Sequence, residues 1–141
     1  MPITLDITHR PLFIVTLVSA PSDAEIRGNL AEWTASFFPA QKPYALVYDA
    51  KDATQFSPRQ RQMTADWVTL HAGQIRSLCA GCSFVFATAM QRGVMTAVHW
   101  MSPPPYPVHV TKTRVDAIRW CLSQLQAAHM AVGDSHAIER W

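Results

Sequence analysis

A chain of 141 residues, 49% apolar and 16% charged, is the size of one globular domain. It carries less charge than a typical soluble domain, so a dense core, a hydrophobic pocket or a buried oligomer face must take up the apolar side chains. A net charge of +2 with no run of five basic residues excludes the electrostatic footprint of a nucleic-acid binder. Three cysteines, an odd number, argue against a disulfide scaffold. The longest apolar run, Leu12 to Ala20, is too short for a bilayer-spanning helix, and MPITLDITHR lacks the order of a signal peptide, so the expected location is cytoplasmic.

Ile3 to Thr8 alternates apolar and polar residues with period two, which predicts a half-buried strand. His9-Arg10-Pro11 breaks it, and the β-branched run Leu12 to Val18 predicts a more buried strand, close enough to the first for an antiparallel hairpin. Ser22 with Glu25 three residues later has capping-box spacing. The helix it opens should run to about Phe38, with Ile26, Leu30, Trp33 and Phe37 as one apolar stripe. Leu46 to Asp49 is apolar without alternation, as in the buried centre of a sheet. Ser57 caps a second helix with Pro58 in its first turn. Met63, Trp67, Leu70 and Leu78 should lie near its inner face, Arg59, Arg61, Gln62 and Asp66 on its wet side, and Ala80-Gly81 should end it.

Cys82 to Ala87 reads as a strand, and Met90 to Met101 as a third helix. The cluster from Ser102 to Pro107 is a loop, Val108 to Val110 a short strand, and Thr113 to His129 a final helix with Val115, Ile118, Cys121, Leu122 and Leu125 inward. The order β-β-α-β-α-β-α-β-α implies an α/β fold: a mixed, mostly parallel sheet with an N-terminal hairpin and about four helices. Residues 1–130 form the expected single domain and 131–141 a C-terminal tail, which nevertheless ends in Trp141.

Three stretches, LVYDAKDATQFSPRQRQ, CAGCSFVF with the following QRGVMTAVHWM, and PYPVHVTKTRVDAIRWCLSQL, together with the element order, resemble the SpoIIAA-like fold over roughly residues 3 to 128. That group includes the STAS domains of anti-sigma-factor antagonists and bacterial single-domain proteins likened to the lipid-carrying CRAL-TRIO proteins. The resemblance implies a regulatory binding module. A STAS antagonist has a strand ending in Leu-Asp-Leu and then Asp-Ser-Ser-Gly, with a phosphorylated serine, at a helix start. The strand end is matched at Val47, Tyr48 and Asp49, but the helix start reads Phe56-Ser57-Pro58-Arg59 and the serine motif is absent. Ser57 is the nearest hydroxyl, with Arg59 and Arg61 beside it, but plain helix capping is the expected role, so a phosphoswitch of the sporulation type is not expected.

No catalytic motif appears. Glycine-rich phosphate loops, a nucleophile elbow and paired metal-ligand histidines are all missing, so neither cofactor nor metal is expected. Cys79-Ala-Gly-Cys82 is a sharp pair to the eye, yet it falls where a helix ends, the dipole end that raises a thiol pKa. Asp49, Asp52 and His99 are the residues a small enzyme would use. Arg92 at a strand-to-helix passage, with Ser57 and Arg59, would form a polar anion-binding rim. The third helix carries Val94, Met95, Val98, Trp100 and Met101 over more than one face, which predicts burial on two sides, against a partner subunit, the tail or a lipid-like ligand. The expected binding residues are therefore Asp49, Ser57, Arg59, Arg92, Val94, Val98, His99 and Met101. The expected function is a non-enzymatic regulatory module binding a protein partner or a second copy as a homodimer, with carriage of a small apolar ligand as the alternative.

Overall fold

The computed structural model of the chain describes residues 3–53 and 57–131. Phe56 and residues 132–141 of the expected tail, Trp141 included, lie outside the described residues.

Strands β1 (Ile3–Asp6) and β2 (Leu12–Ser19) pair antiparallel, Ile3 opposite Leu17, across a connection that holds a cis Arg10–Pro11 peptide. Strands β3 (Tyr44–Ala53), β4 (Cys79–Val85) and β5 (Val108–Thr111) then add in chain order, each parallel to its predecessor. The result is the expected mixed, mostly parallel sheet with its N-terminal hairpin. Helices α1 (Asp23–Phe37), α2 (Pro58–Leu70), α3 (Ala72–Leu78) and α4 (Ala89–Met101) lie on one face. Helix α5 (Arg114–Ala131) lies on the other.

The two faces follow from period-two alternation. Phe13, Val15, Leu46, Cys82 and Phe84 point to the four-helix side, while Leu12, Ile14, Ala45, Val47 and Val85 point to α5. The larger core is aromatic. Phe37 stacks on Tyr44 at 4.9 Å and Trp33 meets Trp67 edge-on at 5.4 Å, pairs worth roughly 0.5–1.5 kcal/mol beyond their burial. Helix α1 begins at a complete capping box: Glu25 N–H donates to Ser22 Oγ, and Ser22 N–H donates to Glu25 Oε1. All four residues of its predicted stripe are buried.

Three expectations need correction. The second helix is two helices, which makes five among the described residues where about four were expected. The chain turns at His71, whose N–H donates to Trp67 O and whose carbonyl accepts from Ile75 N–H, while its ring packs on Trp67 and Phe38. That bend buries Ile75 and leaves Leu70 exposed. Gly81 does not end a helix but lies within β4. A Cβ there would sit 2.6 Å from the Trp120 ring, so the strand takes glycine to let α5 approach. In α5, Val115 and Leu122 are exposed, and Ala117, Cys121 and Leu125 form the buried side, because α5 meets the sheet along one narrow face.

Candidate functional site

Between the sheet, α2 and α4 lies a cavity of about 840 Å³, toward the upper end of the roughly 300–1,000 Å³ of small-molecule sites. Its deep end is aromatic: Trp33, Phe37 and Tyr44, with Cys79 and Cys82 behind. Tyr48, Phe84 and Phe86 form the floor, where Phe84 and Phe86 rings stack nearly parallel at 6.3 Å. Met90, Val94, Met95 and Val98 of α4 form the roof. Polar side chains are few. Arg61, Thr64 and Gln91 reach it from α2 and α4, His99 and Tyr106 from farther along, and no carboxylate lines it among the described residues.

Helix α4 explains why this space exists. It was expected to be buried on two sides, yet none of its residues is buried. It is tied down at its first turn. Thr88 and Gln91 make a capping box, and Arg92 Nη1 donates to the carbonyls of Phe86 at 2.9 Å and Ala87 at 3.2 Å. Farther along, the His99 ring lies 5.1 Å from that of Phe84. Between these anchors the helix stands off the sheet. Met90 and Val94 line the cavity and are also largely exposed, so the space opens to solvent along that edge.

Two polar atoms in the cavity wall are buried without a hydrogen-bond partner among the described residues, Trp33 Nε1 and His99 Nδ1. Such orphans are rare in native interiors. Burial lowers the His99 pKa, favouring the neutral ring. Burial likewise raises the pKa of the Tyr48 and Tyr106 hydroxyls, helped by the nearby thiols, so both stay protonated. Cys79 is pushed up to about 12 by burial, and Cys82 well above its usual value by burial and its two neighbouring thiols. A bulge between the Tyr44 and Ala45 pairs turns both cysteines, three apart, to the same face of the strand. Neither has the depressed pKa of a redox thiol.

The expected binding residues divide between places. Val94, Val98 and His99 line the cavity. Met101 lies exposed just beyond it. The residues of the expected polar rim each hold another partner. The Arg92 guanidinium is occupied by backbone carbonyls, Arg59 faces Asp23 at 3.4 Å, and Ser57 accepts from Gln60 N–H as a cap. Gln60 Nε2 completes that tie by donating to Pro21 O and Asp23 Oδ1, joining the starts of α1 and α2. Asp49 is on the other face of the sheet. It is 1% exposed and accepts from Arg114 Nε at 2.9 Å, while Arg114 also reaches Thr16 Oγ1 at 2.8 Å. Asp49 and His99 thus lie on opposite faces and Asp52 is exposed at a strand end, so the three are not gathered into one cleft.

Sequence reasoning missed Arg61, Gln91, Tyr106 and the aromatic floor as site residues. Arg61 sits on a polar-looking helix face and Tyr106 in a proline loop, and only the closure of α4 over the sheet brings them near each other. The signals were the apolar composition of the chain and the surplus of apolar residues in α4.

No family model matches the chain, and no curated protein does. Solved structures do. An uncharacterized protein of the DUF3478 family with a SpoIIAA-like fold, from Shewanella loihica PV-4, superposes with a TM-score of 0.66 at 10% identity over 84% of this chain and 91% of that one. An anti-sigma factor antagonist from Mycobacterium paratuberculosis superposes at 0.53 and 13% identity over 85% of this chain and 92% of that one. Strand order, the antiparallel first pair, the helix layers and these superpositions agree: the chain has the SpoIIAA-like, STAS-type α/β fold.

Proposed function

We propose that this protein is a binding module for a small amphipathic molecule held in the cavity under α4. The observation that carries the reading is a space of about 840 Å³ walled almost wholly by aromatic and aliphatic side chains. Its polar groups narrow the ligand class. With no carboxylate among the described lining residues, the cavity wall offers no counter-charge to a cationic head group, which favours a ligand whose polar end is not cationic. His99 Nδ1 and Trp33 Nε1 offer hydrogen bonds to a carbonyl or hydroxyl on its body. This favours the ligand carrier over the protein-interaction module that heads the sequence-based expectations.

Native mass spectrometry of protein taken from cells tests it. A co-purified small-molecule adduct is expected, and an Ala65→Trp variant, which places a ring in the cavity wall, should lose it. A clean apo mass, together with no binding of a fluorescent fatty-acid analogue, overturns the proposal.

A protein partner remains the second reading. The exposed C-terminal end of α4 and the fold shared with an anti-sigma factor antagonist support it. Light scattering at micromolar concentration tests its homodimer form, and a mass of 15.8 kDa alone counts against that form.

A further inference from the structure

The two orphaned atoms of the cavity wall come from different elements, Trp33 Nε1 from α1 and His99 Nδ1 from α4. The other indole of the wall shows what is missing: Trp67 Nε1 donates to Thr34 Oγ1 at 2.9 Å. Trp33 is 5% exposed and its N–H has no such acceptor among the described residues. A ligand that supplies the missing partner removes a desolvation cost the protein otherwise carries. Between the two orphans the rings form a path across the cavity. Trp33 meets Tyr48 at 6.1 Å, Tyr48 meets Phe84 at 5.4 Å, and Phe84 meets His99 at 5.1 Å.

The wall is also far richer in rings than the chain. Eight of its 23 lining residues are Trp, Tyr or Phe, in a chain where these make up 10%. Opposite the ring floor, Met90 and Met95 of α4 place thioethers in the roof, and thioether sulfur packs favourably on aromatic rings. A flat unsaturated body fits between such a floor and roof, because ring-on-ring contacts gain more than the area they bury. An alkyl chain gains the burial alone. It gives up rotamer freedom at every torsion it fixes, and its single head group serves one of two separated orphans.

We propose that the cavity takes a flat aromatic ring system with polar groups at two separated positions, an acceptor for the Trp33 N–H and a donor or acceptor for His99 Nδ1. An indole nitrogen only donates, so the group at Trp33 is a carbonyl, a hydroxyl oxygen or a ring nitrogen. A neutral imidazole carries its proton on either nitrogen, so the group at His99 is of either kind. Burial favours the neutral His99 ring, so neither orphan brings a charge, and uncharged polar groups on the ligand match both. The inference rests on the ligand reading above and names the chemical class of that ligand.

The test is isothermal titration calorimetry of the full chain with two flat carbonyl-bearing probes, lumichrome and flavone, and with dodecanoic acid as the alkyl comparison. At least one flat probe should bind one-to-one, about tenfold or more tighter than dodecanoic acid. Trp33→Phe keeps a ring and removes the donor, and His99→Phe does the same at the other orphan; each should weaken the flat probe on the order of tenfold. Phe86→Leu keeps an apolar side chain and removes a ring face, so it should weaken the flat probe and leave dodecanoic acid nearly unchanged. Circular dichroism checks the fold of each variant. His99 and Phe86 are only half-buried, so these two variants carry the test if Trp33→Phe does not fold. The proposal is overturned if neither flat probe binds, if dodecanoic acid binds tightest, or if flat-probe binding is unmoved by the orphan and ring variants that fold. Dodecanoic acid bound without either flat probe overturns this inference and leaves the ligand reading standing. A clean apo mass with no probe bound removes both.

Discussion

Arg114 Nε donates to Asp49 Oδ2 at 2.9 Å across 65 residues of chain, joining the middle of the sheet to the first turn of α5. The carboxylate is 1% exposed and the guanidinium side chain 40%, so one partner is dry and the other half wet. Breaking such a pair leaves a charge in the interior with few partners. Arg114→Ala should lower unfolding free energy by about 2 kcal/mol, a value reduced from the fully buried case because solvent reaches the arginine. Urea unfolding of Arg114→Ala, Asp49→Ala and the double variant checks this. The double variant should lose less than the sum of the two. Additive losses would show that the pair does not act as a unit.

At Gly81 and Trp120, β4 and α5 approach closely. Gly81→Ala puts a methyl 2.6 Å from the indole ring and should cost about 1–3 kcal/mol unless the ring swings out. Adding Trp120→Leu should return most of the loss. A thermal melt of the two variants decides it, and an unchanged melting temperature for Gly81→Ala would mean that Trp120 moves freely.

Acid should weaken the fold below neutrality through its histidines. Burial lowers the pKa of both His99 and His109 from 6.5, with Asp116 partly opposing at His109. The unfolded chain therefore binds more protons than the folded one as pH falls through about 6.5, and stability declines as pH drops into that window. The urea midpoint should be lower at pH 5 than at pH 7.5, and His99→Phe should flatten the slope. A midpoint that rises toward pH 5 would contradict the burial of these rings.

The thiols should be inert in the native state. Burial pushes Cys79 and Cys121 up to about 12 and Cys82 well above its usual value. At pH 8 only roughly one Cys79 in ten thousand is then thiolate. N-ethylmaleimide should add slowly to folded protein and quickly, three times, to the chain in urea. Fast single labelling of native protein would show that the cavity admits reagent to Cys79 or Cys82 in a conformation more open than this one.

How far sequence reached varies by element. The Ser22 and Glu25 pair and the stripe from Ile26 to Phe37 were legible, because capping and helical periodicity act within a few residues. Parallel β3 was legible as an unbroken apolar run ending at Asp49, although that run does not say which face the carboxylate takes or that Arg114 waits there. The break at His71 was not legible. It depends on contacts with Phe38, thirty-three residues away.

The sequence by itself determined the succession of five strands, the two-faced sheet and a helix from Met90 to Met101 too apolar for one ordinary inner face, since these follow from local period and composition. The tertiary structure alone decided that α4 stands off the sheet over an aromatic floor, with Arg61, Gln91 and His99 around one cavity. It also decided that Asp49 belongs to a buried ion pair instead of a binding rim. The physical reason is that a cavity is the space between elements: its shape depends on how far apart packed layers settle, and no residue's neighbours in the chain encode that distance.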